Sequence, residues 1–318
     1  MQSKAFYKYV PPVLGLAVLA GVCVGLHRAL AHVGLGNVLE RLAAIPRHQF
    51  MQALALLGAS FCIMLVYDIP GILFARRLVA FPPLKLHRIG LASFCAYALS
   101  HVLGAPALTA AAVRLRLYAQ WRVPPAGIAR IIALSGSMFA IGLASLLGLL
   151  LLLHPADLPL FGHAVPGFVL RGLGAVLAAL LLAYVLAANR PALTLFGRSL
   201  ALPGPWLALA QILLSGADIT LACAVFYAIL PMASGLSYAH VLGIYLAAFA
   251  GGLFSGLPGG VGVFDSLLLL GLAGYMPPAA ILAAILLFRV LYFLAPACGA
   301  ALCYAGHEVW IRVHRPAK

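Results

Sequence analysis

Apolar runs separated by short polar segments set the pattern of this chain. Runs at about 10–26, 51–75, 128–153, 165–187, 206–230 and 279–304 each suit the roughly 20 residues that an α-helix needs to cross hydrocarbon, so six full spans are predicted. Between the first two, residues 27–50 carry Leu35, Leu39, Leu42 and Ile45 with Glu40, Arg41 and Arg47 among them. That spacing predicts an amphipathic helix lying in the membrane interface.

Two further apolar stretches do not read as simple spans. Residues 89–113 are interrupted at Gly104 and Pro106 and are flanked by Arg76, Arg77, Lys85 and Arg88 on one side and Arg114, Arg116, Arg122 and Arg130 on the other. Basic loops concentrate on the cytoplasmic side, so a stretch basic at both ends is predicted to enter and leave there, as a re-entrant hairpin. Residues 238–275 contain Gly251-Gly-Leu-Phe-Ser-Gly-Leu-Pro-Gly-Gly-Val-Gly-Val-Phe-Asp265, and their flanks lack Lys and Arg. Pro258 removes a backbone donor, while Gly259, Gly260 and Gly262 let the chain leave helical geometry. This stretch is predicted to be a second hairpin, entering from outside.

The expected fold class is therefore an all-α polytopic membrane protein with about six full spans and two re-entrant hairpins. Both termini fall on the cytoplasmic side. Lys4, Lys8, the residues flanking the first hairpin, Arg190, Arg198, Arg312, Arg315 and Lys318 lie there too, and only Arg28, Arg41 and Arg47 fall outside. The halves at about 51–153 and 205–304 also match in sequence. Ser100-His-Val-Leu-Gly104 parallels Ser255-Gly-Leu-Pro-Gly259, and Pro124-Pro-Ala parallels Pro277-Pro-Ala. Each hairpin follows a span with one aspartate, Asp68 or Asp218. Inverted repeats meeting at broken helices are a transporter signature, so residues 1–318 read as one transmembrane domain.

Composition agrees. The chain is 65% hydrophobic and 8% charged, with mean hydropathy +1.11, which excludes an ordinary soluble domain. The net charge of +14 reads as topology and contact with anionic lipid. No nucleic-acid partner is expected, because the basic residues sit in short loops. Cys23, Cys62, Cys95, Cys223, Cys298 and Cys303 stand singly in apolar segments, and the histidines lack metal-ligand spacing. No metal or other cofactor is expected, and no phosphate-binding GxxxxGK[ST] loop marks an ATPase.

An acid at membrane depth is costly unless partnered. The candidate substrate-binding residues are therefore Asp68, Asp218 and Asp265 with Arg114, Arg116 and Arg289, and His101 beside the first break. Arginine forks suit a phosphate and an aspartate suits an amine, so a polar cleft could accept a lipid headgroup. The same groups could instead neutralise one another as structural pairs. Tyr67, Tyr97 and Tyr118 read as packing or interfacial residues, and Trp206 and Trp310 as interface anchors.

These residues resemble the membrane-embedded flippase part of the multiple peptide resistance factor family, the lysylphosphatidylglycerol synthase/flippases. The likeness rests on Tyr67-Asp68, Ser100-His101 with Gly104, Arg114-Leu-Arg116-Leu-Tyr118 and Arg289-Val-Leu-Tyr292 with Pro296. Its most specific part is Pro258-Gly-Gly-Val-Gly-Val-Phe-Asp265. The resemblance implies an inner-membrane lipid translocase that moves aminoacylated phosphatidylglycerol or a related lipid, with a role in antimicrobial peptide resistance. The family usually has Glu at the position of Asp265 and Thr-Gly-Gly at Thr109-Ala-Ala. Its synthase domain has no counterpart here. Two rivals are a stand-alone aminoacyl-lipid synthase and a non-transporting membrane part or partner of a separate synthase. A homo-oligomer is left open.

Overall fold

The computed structural model describes residues 35–103, 105–155, 159–160, 163–195, 198–231, 233–255 and 258–314. The expected first span at 10–26, with Cys23 and Arg28, and the break residue Gly104 lie outside them. Five helical segments among the described residues are long and apolar enough to cross a membrane: Arg47–Leu78, Pro125–Leu153, Gly167–Ala187, Pro205–Ile229 and Pro278–Ile311. Their outward faces are apolar. Phe168 and Leu302 are each 75% exposed, which suits lipid and not water, and the chain is an all-α polytopic membrane protein.

The amphipathic segment, whose first residues 27–34 lie outside the described ones, ends earlier than the sequence suggests. Helix α1 covers Leu35–Ala43 and packs on the last long helix, and Arg47 already opens the next. That run divides into α2 (Arg47–Val66) and α3 (Ile69–Leu78), which meet at Tyr67 and Asp68. Pro70 causes the division, since it has no N–H to offer the Val66 carbonyl.

The first hairpin consists of α4 (Leu86–Leu103) and α5 (Pro106–Gln120), packed side by side. Ala105 turns between them in the left-handed region at φ 42°, and Pro106 takes the first helical position, where a missing donor costs nothing. Helix α6 (Pro125–Leu153) and the lipid-facing α7 (Gly167–Ala187) follow. They cross closely, since a Cβ on Gly174 would meet the Gly148 carbonyl at 2.9 Å. Two short antiparallel ribbons add a small β element to the loops: β1 (Pro159–Leu160) with β2 (His163–Ala164), and β3 (Ala192–Leu195) with β4 (Arg198–Ala201).

Helix α8 (Pro205–Ile229) starts the second set of elements. The second hairpin comprises α9 (Tyr238–Phe254), a 3-10 turn at Pro258–Gly260 and α10 (Val263–Leu272). Gly259, Gly260 and Gly262 all have positive φ. A Cβ on Gly260 would lie 2.9 Å from the Gly252 Cα, so the two limbs touch backbone to backbone. The last long helix runs through α11 (Pro278–Phe288), a π-helical turn at Arg289–Leu294 and α12 (Ala295–His314). The π turn, absent from the sequence reading, precedes Pro296, whose ring cannot fit an ordinary α-helical ladder.

The two hairpins open toward opposite ends of the long helices. Arg77 donates to the Pro203 carbonyl at 2.8 Å, which sets the end of α3 beside the start of α8. Phe81, Trp121 and Val123 gather there, at the base of the first hairpin. The second hairpin starts at the other end of α8, where Tyr238 donates to the Thr220 carbonyl at 2.8 Å and stacks edge-on with Tyr227. The tips meet between them. The Gly259 α-carbon faces the His101 carbonyl so closely that a Cβ would lie 3.3 Å from it. Each hairpin has its own apolar core, one around Phe226, Tyr245, Phe264 and Phe288 and one around Tyr118, Ile128, Ile131 and Ala300.

At the crossing of α6 and α8, a Cβ on Gly142 would meet Ser215 Cβ at 2.8 Å and Ile219 Cδ1 at 2.9 Å. Gly142→Leu is therefore expected to cost about 1–3 kcal/mol by overpacking. Gly172→Leu, whose added Cβ would meet nothing within 4 Å, is expected to cost less than about 0.5 kcal/mol. Thermal unfolding in detergent micelles checks the pair.

Candidate functional site

A cavity of about 220 Å³ lies where the hairpin tips meet. Tyr97, Ser100 and His101 reach it from α4, and Pro106, Ala110 and Arg114 from α5. Gly252, Gly259, Gly260 and Phe264 reach it from the second hairpin, and Asp218 from α8. Its walls are mostly apolar, so few polar groups define its chemistry.

Asp68 and Arg114 form a buried fork. Arg114 Nε lies 3.0 Å from both carboxylate oxygens and Nη2 lies 2.8 Å from Oδ1. Tyr118 and Ser135 each donate a further hydrogen bond to Asp68 at 2.8 Å. The break at Tyr67 and Asp68 sets this carboxylate toward the first hairpin, and Arg114 and Tyr118 reach it from one face of α5, four residues apart. Asp68 itself does not line the cavity, whereas Arg114 does. The fork uses Nε and Nη2, and Nη1 lies outside it.

Asp265 and Arg289 form a second fork, with Arg289 Nε at 2.9 Å and Nη2 at 2.7 Å from Oδ1. This pair also closes the break. Asp265 accepts the Gly262 N–H at 2.9 Å, and Arg289 donates to the Gly259 carbonyl at 3.3 Å. The Arg289 guanidinium lies 5.8 Å from the Phe264 ring and 5.6 Å from the Phe293 ring. Neither charged residue lines the cavity, although Gly259 and both rings do.

Asp218 forms no ion pair among the described residues. It accepts from Tyr97 at 2.8 Å and Ser60 at 3.2 Å. His101 lies with its Nδ1 donating to the Tyr97 carbonyl at 2.8 Å, among the Tyr97, Phe249 and Phe293 rings. Arg116 is elsewhere. It pairs with Glu308 at 2.8 Å near the base of the first hairpin, with Gln120 on the same carboxylate.

The structure therefore brings Arg114, His101 and Asp218 to one cavity and sets Asp68, Asp265 and Arg289 just behind its walls. Arg116 stands apart. Of the breaks, Pro106, Gly259 and Gly260 line the cavity, Pro258 opens the 3-10 turn and Gly262 caps α10. Tyr97 and Tyr118, read from sequence as packing residues, are hydrogen-bond donors to the two most buried carboxylates. Ser60 and Ser135 were not singled out, and Tyr292 entered only as part of the Arg289-Val-Leu-Tyr292 likeness. The i,i+4 spacing of Arg114 with Tyr118 and of Tyr97 with His101 is the signal that could have found the tyrosines.

Because both Asp68 and Arg114 are buried, removing one partner strands a charge. Arg114→Ala is expected to destabilise the protein by about 3–5 kcal/mol, and Asp68→Leu with Arg114→Met together by less than Arg114→Ala alone. Thermal unfolding of the single and double variants measures the difference.

No family model matches the chain. It is similar to an uncharacterized Synechocystis sp. protein, 29% identical over 313 residues, which covers 95% of this chain and 92% of that protein. It is also similar to inner membrane protein YbhN of Escherichia coli, 29% identical over 262 residues, 81% of this chain and 80% of YbhN. A phosphatidylglycerol lysyltransferase of Staphylococcus haemolyticus is 26% identical over 292 residues, 89% of this chain but 32% of the lysyltransferase. These similarities link the chain, distantly, to a group that includes an inner membrane protein and a lipid-modifying enzyme.

Proposed function

We propose that the chain is an inner-membrane lipid translocase that passes a phospholipid or lipid-linked headgroup through the cavity between the hairpin tips. The observation that carries this reading is the cavity itself. It joins Arg114, His101 and Asp218 among apolar walls at the meeting of two broken helices, the setting in which carriers place their substrates. Its size suits a headgroup, being below the roughly 300–1,000 Å³ of pockets for drug-sized ligands. Acyl chains would remain in lipid. Arg114 Nη1 would meet a phosphate oxygen, while Asp68 keeps the rest of the guanidinium in place.

The relatives favour this membrane and this lipid class. YbhN is by name an inner membrane protein, and the lysyltransferase by name acts on phosphatidylglycerol. Phosphatidylglycerol and its aminoacylated form are therefore the first substrates to test. The reading assigns the chain no covalent chemistry and no ATPase, and sets both termini in the cytoplasm. A second reading has one specific support: the chain aligns with only a third of the lysyltransferase. On that reading it is the membrane part or partner of a synthase and moves no lipid itself.

Fluorescent phosphatidylglycerol and lysylphosphatidylglycerol in proteoliposomes separate the two. The parent is expected to expose labelled lipid to an outside quencher faster than protein-free vesicles. Ala110→Trp, which fills the cavity, and Asp265→Ala, which opens the break, are expected to slow this at least about tenfold, about 1.4 kcal/mol in barrier. A parent no faster than empty vesicles, or variants as fast as the parent, would overturn the proposal.

A further inference from the structure

Two of the three intramembrane aspartates hold a guanidinium, and among the described residues the third holds none. Asp218 is 2% exposed and lines the cavity, yet its partners are hydroxyls. Ser60 Oγ lies 3.2 Å from Oδ1 and Tyr97 OH lies 2.8 Å from Oδ2. Tyr292 OH closes the circuit, 3.3 Å from Ser60 Oγ and 3.3 Å from Tyr97 OH. The four groups form a ring with four hydrogen-bond edges.

A four-edged ring needs four protons. Ser60, Tyr97 and Tyr292 supply one each. An ionised Asp218 supplies none, which leaves one edge without a proton and a buried carboxylate held by hydroxyls alone, with no counter-ion among the described residues. A protonated Asp218 supplies the fourth, and every member then donates once and accepts once. The ring can run either way. In one sense Oδ2–H donates to Tyr97, Tyr97 to Tyr292, Tyr292 to Ser60 and Ser60 to Oδ1. In the other, Oδ1–H donates to Ser60 and each remaining bond reverses. Reversal carries the proton from one carboxyl oxygen to the other with no heavy atom displaced.

Among the described residues no charged side chain hydrogen-bonds or ion-pairs with the ring. Tyr67, at the junction of α2 and α3, and Tyr245 from α9 are further titratable groups beside it. His101 from α4 donates to the Tyr97 carbonyl. Arg114, which shares the cavity from α5, is forked onto Asp68. Asp218 and Tyr97 line the cavity, whereas Ser60, at 0% exposure, and Tyr292, at 3%, close the ring behind.

We propose that Asp218, with Ser60, Tyr97 and Tyr292, is a proton-binding site that loads and releases its proton through the cavity. The carboxylate takes one H⁺ from cavity water to become the acid and returns it there, with no other reactant. Under the translocase reading, on which this consequence rests, the site couples lipid movement to a proton gradient.

Infrared difference spectroscopy of the purified full-length protein in H₂O and D₂O reads the site directly. On acidification below neutral pH the parent is expected to gain the carbonyl stretch of a protonated carboxylic acid, lost in Asp218→Asn and retained in Asp265→Asn. Tyr97→Phe and Tyr292→Phe, which open the ring but keep the acid, are expected to shift that band. A spectrum without such a band, or one unchanged by Asp218→Asn and by both tyrosine variants, would overturn the proposal. In vesicles an imposed proton gradient is expected to speed the parent several-fold and leave the rate of Asp218→Asn unresponsive. A parent indifferent to the gradient overturns the coupling. A parent that moves no lipid sinks the translocase reading instead, and the infrared band alone then decides the proton site.

Discussion

Backbone groups freed by a broken helix inside a membrane have no water to turn to, and each must find a partner within the protein. The second hairpin of this chain meets that demand with side chains held close to the break. Arg289 caps the Gly259 carbonyl, Asp265 takes the Gly262 N–H, and Ser255 donates to the Gly252 carbonyl at 2.6 Å. In the first hairpin Ser100 and His101 instead bond back onto the Tyr97 carbonyl within their own helix, and Pro106 brings no N–H to the break that would need a partner. The breaks persist because each tip is built against the other and not against lipid.

The two ion pairs extend this logic with their roles exchanged. In the first set of elements the arginine sits on the hairpin and the aspartate at the break between α2 and α3. In the second the aspartate sits on the hairpin and the arginine at the π turn before Pro296. Each hairpin is thus fastened to an irregularity in a neighbouring long helix. Such pairs gain little net stability over apolar residues, yet losing one partner is severe, which makes them devices for position. The intramembrane charges that first suggested a substrate site are, for the most part, already neutralised. Arg114 reaches the cavity with part of its guanidinium, and Asp218 reaches it with hydroxyl partners alone.

Much of the fold was legible in the sequence because membranes impose strong rules. Span length gave the long helices, and Pro258 with its glycines marked a break that the structure places at the same residues. The first break lies at Ala105, between the expected Gly104 and Pro106. What could not be read was local or combinatorial. Pro70 divides one span into α2 and α3, and the π turn depends on how Arg289 and Tyr292 pack. The site was half legible. Arg114, His101 and Asp218 were named and do meet at the cavity, but nothing in the sequence says that Arg116 turns to Glu308 at the hairpin base. The hydroxyls around Asp218 come from three separate elements, and only folding brings Ser60, Tyr97 and Tyr292 into one ring with it.

The arrangement of the hairpins is the claim on which the site, the carrier reading and the proton ring all depend. Single cysteines placed at Arg122 and at Ser237, at the two hairpin bases, can be labelled in intact cells with a membrane-impermeant thiol reagent, against a background in which the native cysteines are replaced. The account predicts that the cysteine at 237 reacts from outside and that the one at 122 reacts only after the membrane is opened. Labelling of both positions from the same side would contradict it.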